Sequence, residues 1–541
     1  MFTRHRTTAV VAAAAAVSLA LAACSSGNSS DGSSASGDGI VTGQYGGQEL
    51  HRSDPVSGGS LTIGLSFPVP ELDPAQAFGG SIEFVLRAIY DQLMKVNPDG
   101  SISPELAESL TTDDNTVWTL TLPDDVKFTD GTPFNADAVI AQVNRVAAPD
   151  STSLDAASAR GISKMDKLDD FTVQFTLAAP DSQFNLLLAT SALAMIPSPT
   201  AVESEGADFA TKPVGAGPFV VTSFSPNGEI DLEKNADYRI DGKPYLDSVK
   251  MIPLTDEASR VSSIQSGDID AASLETSTSI EDATDAGVTV LNQPTYSQYW
   301  IVPNLTNPIL SDPRVRRAID EAVNRDAISQ TLFDGLQEPA NGILTSSQPY
   351  YEEDSGWPTL DLDDAKQQIA DYEKETGTSS ITLDMMVNQD KTSSDIAALL
   401  KQQLSEVGIT LNYTAQDPTS QIAQIVSGSF ETFLFQGTIP AETSHSLASH
   451  FGTGSFLNFG LAGNPDLDAL FAQAAAAKSD DERTALIPKE LDVIREWEPV
   501  IPIVGYALAR IVGPRVLGFP DGDPNTTSME VFDLREVWVQ Q

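Results

Sequence analysis

Between Ile381 and Tyr413 the chain spells a strand, a helix and a returning strand, and this run limits the fold more than any other segment. Ile381 to Val387 is apolar and β-prone. Ser393 to Val407 sets Ile396, Leu399, Leu400, Leu404 and Val407 on one helical face, Gly408 stops that helix, and Ile409 to Tyr413 returns as a strand. Such a crossover predicts parallel strands joined right-handedly, hence an α/β fold. Ligands of open α/β sheets sit at the carboxyl ends of the strands, so the loops after Val387 and Tyr413 are expected to face a crevice. The same two periods recur elsewhere. Thr116 to Leu122 alternates, with Trp118, Leu120 and Leu122 on one face and Val117, Thr119 and Thr121 on the other. Asn135 is placed to cap a helix carrying Val139, Val143 and Val146. Asp312-Pro313 opens another, whose apolar face is Val315, Ala318, Ile319, Ala322 and Val323.

The N-terminus reads differently. Arg4, His5 and Arg6 precede an uncharged run from Thr7 to Ala23, and Cys24, the one cysteine in 541 residues, follows Leu21-Ala22-Ala23. That is the layout of a secretory signal, and Leu-Ala-Ala-Cys resembles the lipobox of bacterial lipoproteins, whose cysteine receives a diacylglyceryl group and further acylation such as palmitate. The alternative is an uncut signal-anchor helix, but the apolar run falls short of the ~20 residues a membrane span needs. A single thiol also excludes an intramolecular disulfide framework. Residues 1–23 are therefore expected to be a signal peptide. Residues 24–57, rich in Ser, Gly and Asp, are expected to be a lipid-anchored flexible linker, because they carry too little apolar surface to offset ordering entropy. At ~150 residues per domain the remainder suggests about three structural units.

Net charge is −45, from 31 Lys and Arg against 76 Asp and Glu. Nucleic-acid binding wants basic patches, so that class is excluded; solubility and self-repulsion of a monomer explain the charge more simply than a cationic ligand does. Catalytic signatures are missing as well. Of four histidines, His5 lies in the leader and His51 in the linker, and no GxSxG, SxxK, HExxH or Walker pattern occurs. Gly215-Ala216-Gly217-Pro218 looks like a phosphate loop, yet Pro218 removes a backbone donor; a tight bend permitting close backbone packing is the better reading. Abundant carboxylates leave a two-carboxylate hydrolase as an alternative.

Trp118 to Val139 (Trp-Thr-Leu-Thr-Leu-Pro-Asp-Asp-Val-Lys-Phe-Thr-Asp-Gly-Thr-Pro-Phe-Asn-Ala-Asp-Ala-Val) resembles the signature of family 5 extracellular solute-binding proteins, the peptide- and nickel-binding subunits of ABC importers. Further segments match in order: Leu72-Asp73-Pro74, Ile89 to Leu93, Gly215 to Phe219, Lys234 to Arg239, Lys243 to Asp247, Ile264 to Asp270 and Leu310 to Ile319. Leu122-Pro123-Asp124-Asp125 departs from the usual Leu-Arg-x-Gly, in a predicted turn. The resemblance implies a two-lobed, class II periplasmic-binding-protein-like α/β fold with an extra subdomain in lobe one. On this sequence lobe one maps to 58–95, 211–292 and 508–541, the inserted subdomain to 96–210, and lobe two to 293–507. Interlobe crossings fall near Thr295 to Asn304 and Ile501 to Arg510, where Tyr296 to Val302 and Val500 to Tyr506 read as extended. The implied mechanism is capture of a peptide or similar small solute by lobe closure, followed by docking on a membrane permease with a cytoplasmic ATPase. It needs no chemical step, cofactor or metal.

In peptide-binding members a lobe-two Trp-x-x-Asp-Tyr segment supplies the carboxylate that pairs with the peptide ammonium. Here the matching stretch is Phe433 to His445, with neither Trp nor Asp, and Glu442 is the available substitute. The substrate-binding residues assigned on this pattern are Phe78, Gly79, Tyr299, Phe435, Gln436, Thr438 and Glu442. Phe435 either lines the cleft or packs within the sheet, and of the neighbours Tyr299 and Trp300 only one can face the cleft from an extended strand. His445 and His450 raise a nickel or metal-chelate alternative. Five residues apart they would lie about 140° apart on a helix, so sharing a metal requires a loop; otherwise they are exposed loop histidines.

Overall fold

The computed structural model describes residues 39–42, 49–52, 54–76, 80–97, 100–292, 295–440, 443–455, 457–506, 508–518 and 533–540. The strand–helix–strand run forms as expected. Ile381–Asn388 and Ile409–Gln416 pair in parallel around helix Lys391–Ser405. The helix starts two residues earlier than its apolar pattern, because Asp390 caps it by accepting from the Ser393 N–H at 2.7 Å. Its regular part ends at Ser405, and Gly408 makes the left-handed turn at φ 88°. Ile396, Leu400, Leu404 and Val407 are buried; Leu399 sits at the rim and is only partly so. The caps at Asn135 and Asp312 also form, accepting from the N–H groups of Ala138 and Arg314. Both helices bury their expected apolar faces.

Three larger sheets organise the described residues. The first has seven strands in the order Phe219–Phe224, Ile230–Lys234, Ser248–Pro253, Ser60–Leu65, Ala271–Leu274, Ala509–Val512 and Thr289–Asn292. Its central strand Ser60–Leu65 has parallel neighbours on both sides. The second has five strands, Ile409–Gln416, Ile381–Asn388, Thr432–Thr438, Ser297–Pro303 and Ile501–Gly505. A third, antiparallel sheet takes Ser109–Thr112, Val117–Thr121, Thr172–Leu177 and Ile162–Asp169. Alternation in Val117–Thr121 works as predicted: Trp118 and Leu120 go inward with Leu122, while Val117, Thr119 and Thr121 stay half-exposed. Each sheet carries its own apolar core. The five-stranded one is covered on both faces, with Tyr299 packed toward one cluster and Trp300 inside the other.

Two chain segments leave the seven-stranded sheet for the five-stranded one, and they travel side by side. Thr289–Asn292 pairs antiparallel with Ala509–Val512 in the first sheet, and Ser297–Pro303 pairs antiparallel with Ile501–Gly505 in the second. Between them the Tyr506 N–H donates to Ser297 O at 3.0 Å, and the Thr295 hydroxyl donates to Tyr506 O at 2.8 Å. Both segments expected to be extended are strands.

The Gly-rich bend behaves as a packing element. A Cβ at Gly215 would stand 2.2 Å from the Ile89 carbonyl oxygen, and one at Gly217 would stand 2.5 Å from it. The Gly217 N–H already donates to that oxygen at 2.9 Å. Gly217→Ala is therefore expected to lower the unfolding free energy by roughly 1–3 kcal/mol, read from the midpoint of a urea titration, by forcing two backbones apart. An unchanged midpoint would show that the two backbones have room to separate.

Candidate binding cleft

The parallel strands of the five-stranded sheet end along one edge, at Gln416, Asn388 and Thr438. Strand Ile501–Gly505 ends there too, and Ser297 begins its antiparallel strand at the same edge, opposite Thr438. The seven-stranded sheet offers the carboxyl ends of its own parallel strands, at Leu65, Pro253 and Leu274. The two edges touch beside the paired crossings. The Tyr506 hydroxyl reaches Glu275 Oε2 at 3.4 Å, and Gln337 Nε2 donates to the Ser277 hydroxyl at 3.2 Å.

Register decides which predicted residues come together. Ser297 faces Thr438, Tyr299 faces Gln436, and Trp300 faces Phe435 across the strand pair. Side chains alternate along a strand, so Ser297, Tyr299, Gln436 and Thr438 share one face, while Trp300, Phe435 and Gly437 share the other. The hydroxyls of Ser297 and Thr438 lie 2.6 Å apart. Tyr299 stacks at a tilt on Tyr506, with ring centroids 5.5 Å apart. Burial raises both phenols well above the usual tyrosine range, and the carboxylates of Asp390, Glu275 and Glu257 push the same way. Both hydroxyls therefore stay protonated and can donate. Glu257 in turn accepts from the Glu275 N–H at 2.6 Å, which fixes the two acids beside each other.

Phe435 belongs to the opposite face. It packs with Trp300, Phe433 and Phe459, at centroid distances of 6.4, 5.8 and 5.2 Å. Trp300 is 1% exposed, donates from Nε1 to Gln298 Oε1, and lies so close to the next strand that a Cβ at Gly437 would stand 2.2 Å from its ring. Phe435 packs within this aromatic cluster while staying half-buried, and of Tyr299 and Trp300 only Tyr299 lies on the face shared with Gln436 and Thr438.

The histidines are not loop residues. His445 and His450 both lie on helix Thr443–Phe451. His450 Nδ1 is 2.8 Å from Ser446 O, so that nitrogen carries the proton, and the ring packs edge-on to Trp300 at 6.0 Å. Burial lowers its pKa. Among the described residues no three His, Cys, Asp or Glu side chains gather as a metal site. Cys24, Phe78, Gly79 and Glu442 lie outside the described residues.

Sequence reasoning missed Tyr506, Glu275, Glu257 and Asp390. Asp390 sits in the loop after Val387, which the carboxyl-end rule had marked; Glu275 follows strand Ala271–Leu274 in the same way. Hydroxyls, amides and aromatic rings arranged between two sheets can hold a solute by hydrogen bonds and stacking.

Comparison with known proteins agrees. The family model described as "Bacterial extracellular solute-binding proteins, family 5 Middle" matches residues 101–457. The Glutathione-binding protein GsiB of Salmonella typhi is 30% identical over 471 residues, spanning 85% of this chain and 91% of the relative. Among solved structures, the ABC transporter substrate binding protein CtaP of Listeria monocytogenes superposes with a TM-score of 0.77 at 24% identity, covering 90% of this chain and 100% of CtaP. The oligopeptide-binding protein AppA of Bacillus subtilis, in complex with a nonapeptide, gives a TM-score of 0.75 at 21% identity, covering 90% of this chain and 100% of AppA. The fold is thus the two-lobed α/β fold of periplasmic binding proteins, and the chain belongs to the family 5 extracellular solute-binding proteins of ABC importers.

Proposed function

We propose that the protein captures a short peptide or peptide-like solute between its two lobes and delivers it intact to a membrane permease. In this reading lobe one comprises 58–95, 211–292 and 508–541, the inserted subdomain 96–210, and lobe two 293–507. The separate sheets and cores of these segments support that division. The observation that carries the proposal is the pair of antiparallel crossings: two strands bonded to each other in both sheets form a hinge, and the carboxyl edges of the two sheets meet next to it. A solute touching both edges binds the closed form better and shifts the population toward it. The similarity to a glutathione-binding protein supports a peptide-sized ligand. The negative field of Glu275, Glu257 and Asp390 around Tyr299 supports a ligand with an ammonium group, and offers a replacement for the missing Trp-x-x-Asp-Tyr anchor. Cys24 is proposed to carry the lipid that holds the protein on the outer face of the cell membrane, through the linker 25–57.

Thermal unfolding in the presence of glutathione, di- to pentapeptides, sugars and nickel chelates tests the class. A bound peptide is expected to stabilise by RT ln(1 + [L]/Kd), about 2.7 kcal/mol at a hundredfold excess over Kd, and to be recovered unchanged by mass spectrometry. Cleavage of the ligand would instead favour the hydrolase. N-acetylating the bound peptide is expected to weaken it about tenfold, because the ammonium loses its carboxylate field; equal affinity would dismiss that anchor. The two strand faces separate by mutation. Tyr299→Ala is expected to weaken binding by the folded protein roughly tenfold or more, alongside a loss of stability from its packing against Tyr506. Phe435→Ala is expected to cost roughly 2–3 kcal/mol of stability while leaving the affinity of the folded protein near wild type. Cys24→Ser is expected to move the protein from the membrane to the soluble fraction, since one residue carries the whole anchor.

A further inference from the structure

Far along the chain from the paired crossings, the four-stranded sheet meets the other lobe at the end of a helix. Helix Pro465–Ala475 has no basic side chain in its last turn; Ala474 O accepts from the Ala477 N–H at 3.2 Å, and the helix's last carbonyls take further donors from elsewhere. Two of them, and the carbonyl of Ala477 just beyond the helix, accept from turns at one end of the four-stranded sheet. The Ser182 N–H donates to Ala475 O at 3.0 Å, the Ser182 hydroxyl donates to Ala474 O at 3.0 Å, and Asn115 Nδ2 donates to Ala477 O. The two donor residues are themselves tied together, since the Asp181 N–H donates to Asn115 O at 2.8 Å. Asn115 holds the left-handed conformation at φ 56°, and its N–H donates to the Thr112 hydroxyl, so its amide is presented from a fixed turn.

We propose that Asn115 and Ser182 are positioning residues for solute capture: they cap the helix end of the opposite lobe only when the lobes are shut, and so set the fraction of protein that is closed. The inference rests on the closure reading above. In the open form the carbonyls of Ala474, Ala475 and Ala477 exchange these donors for water. Such an exchange is small per hydrogen bond, which biases the equilibrium without locking it. A solute that needs the closed form then binds with an apparent affinity scaled by the closed fraction, although neither residue is among those on the cleft edge.

The test uses the full-length mature chain with Cys24→Ser, which leaves no native thiol. Spin labels on Lys164→Cys and Lys401→Cys, both exposed, report the distance between the four-stranded sheet and lobe two in solution. Asn115→Gly removes the amide and tolerates the positive φ; Ser182→Ala removes the hydroxyl. Together they are expected to lower the closed-to-open ratio of the ligand-free protein about tenfold. Ser163→Ala, whose hydroxyl donates within the sheet to Thr176 O, is expected to leave the ratio unchanged. An unaltered distance distribution in the double variant, while peptides or glutathione still shift it in the wild type, overturns the latch and spares the closure reading. A single wild-type distance that no peptide shifts overturns both. If the double variant misfolds, a Ser182→Cys/Ala475→Cys pair decides: rapid disulfide formation on oxidation supports the contact, and its absence overturns it.

Discussion

Two strands that hydrogen-bond to each other on both sides of a gap fix the mechanics of this molecule. A single crossing would let the lobes swivel. A second one, bonded antiparallel to the first in each sheet and again between Tyr506 and Ser297, removes most twisting and leaves bending. In the proposed closure, bending about such a ribbon would bring the carboxyl edges of the two sheets together or apart, so that motion and recognition share one axis.

The described groups at the edges are hydrogen-bonding and aromatic side chains. Tyr299 and Tyr506 stay protonated because burial and nearby carboxylates disfavour the phenolate. The hydroxyls of Ser297 and Thr438 hydrogen-bond to each other. The imidazole of His450 is turned to a backbone carbonyl within an aromatic cluster, and burial lowers its pKa. The acids that make the net charge −45 are not all at the surface: among the described residues Asp91, Asp320, Glu490 and Glu498 are buried.

Much of the fold was legible because helix and strand periods are local. The run from Ile381 to Tyr413, the Asn135 and Asp312 caps and the inward face of Trp118 and Leu120 follow from spacing alone. The helix boundary at Lys391 was missed because a cap by Asp390 extends a helix past its apolar face. Alternation stated that Tyr299 and Trp300 part ways but not which way, since that depends on which cluster each meets. Glu275 and Asp390 were hidden among 76 acidic residues; only the meeting of distant strand ends makes them neighbours of Tyr299. His450 looked like a loop residue because its helix has too few apolar positions to announce itself.

The contact between Gly437 and Trp300 has an evolutionary corollary. No side chain fits at position 437, so this stretch of wall is frozen for as long as the indole stays. Substitution along this strand is freer at the flanking positions 436 and 438, on the other face of the sheet, and the tryptophan and the glycine can change only as a couple.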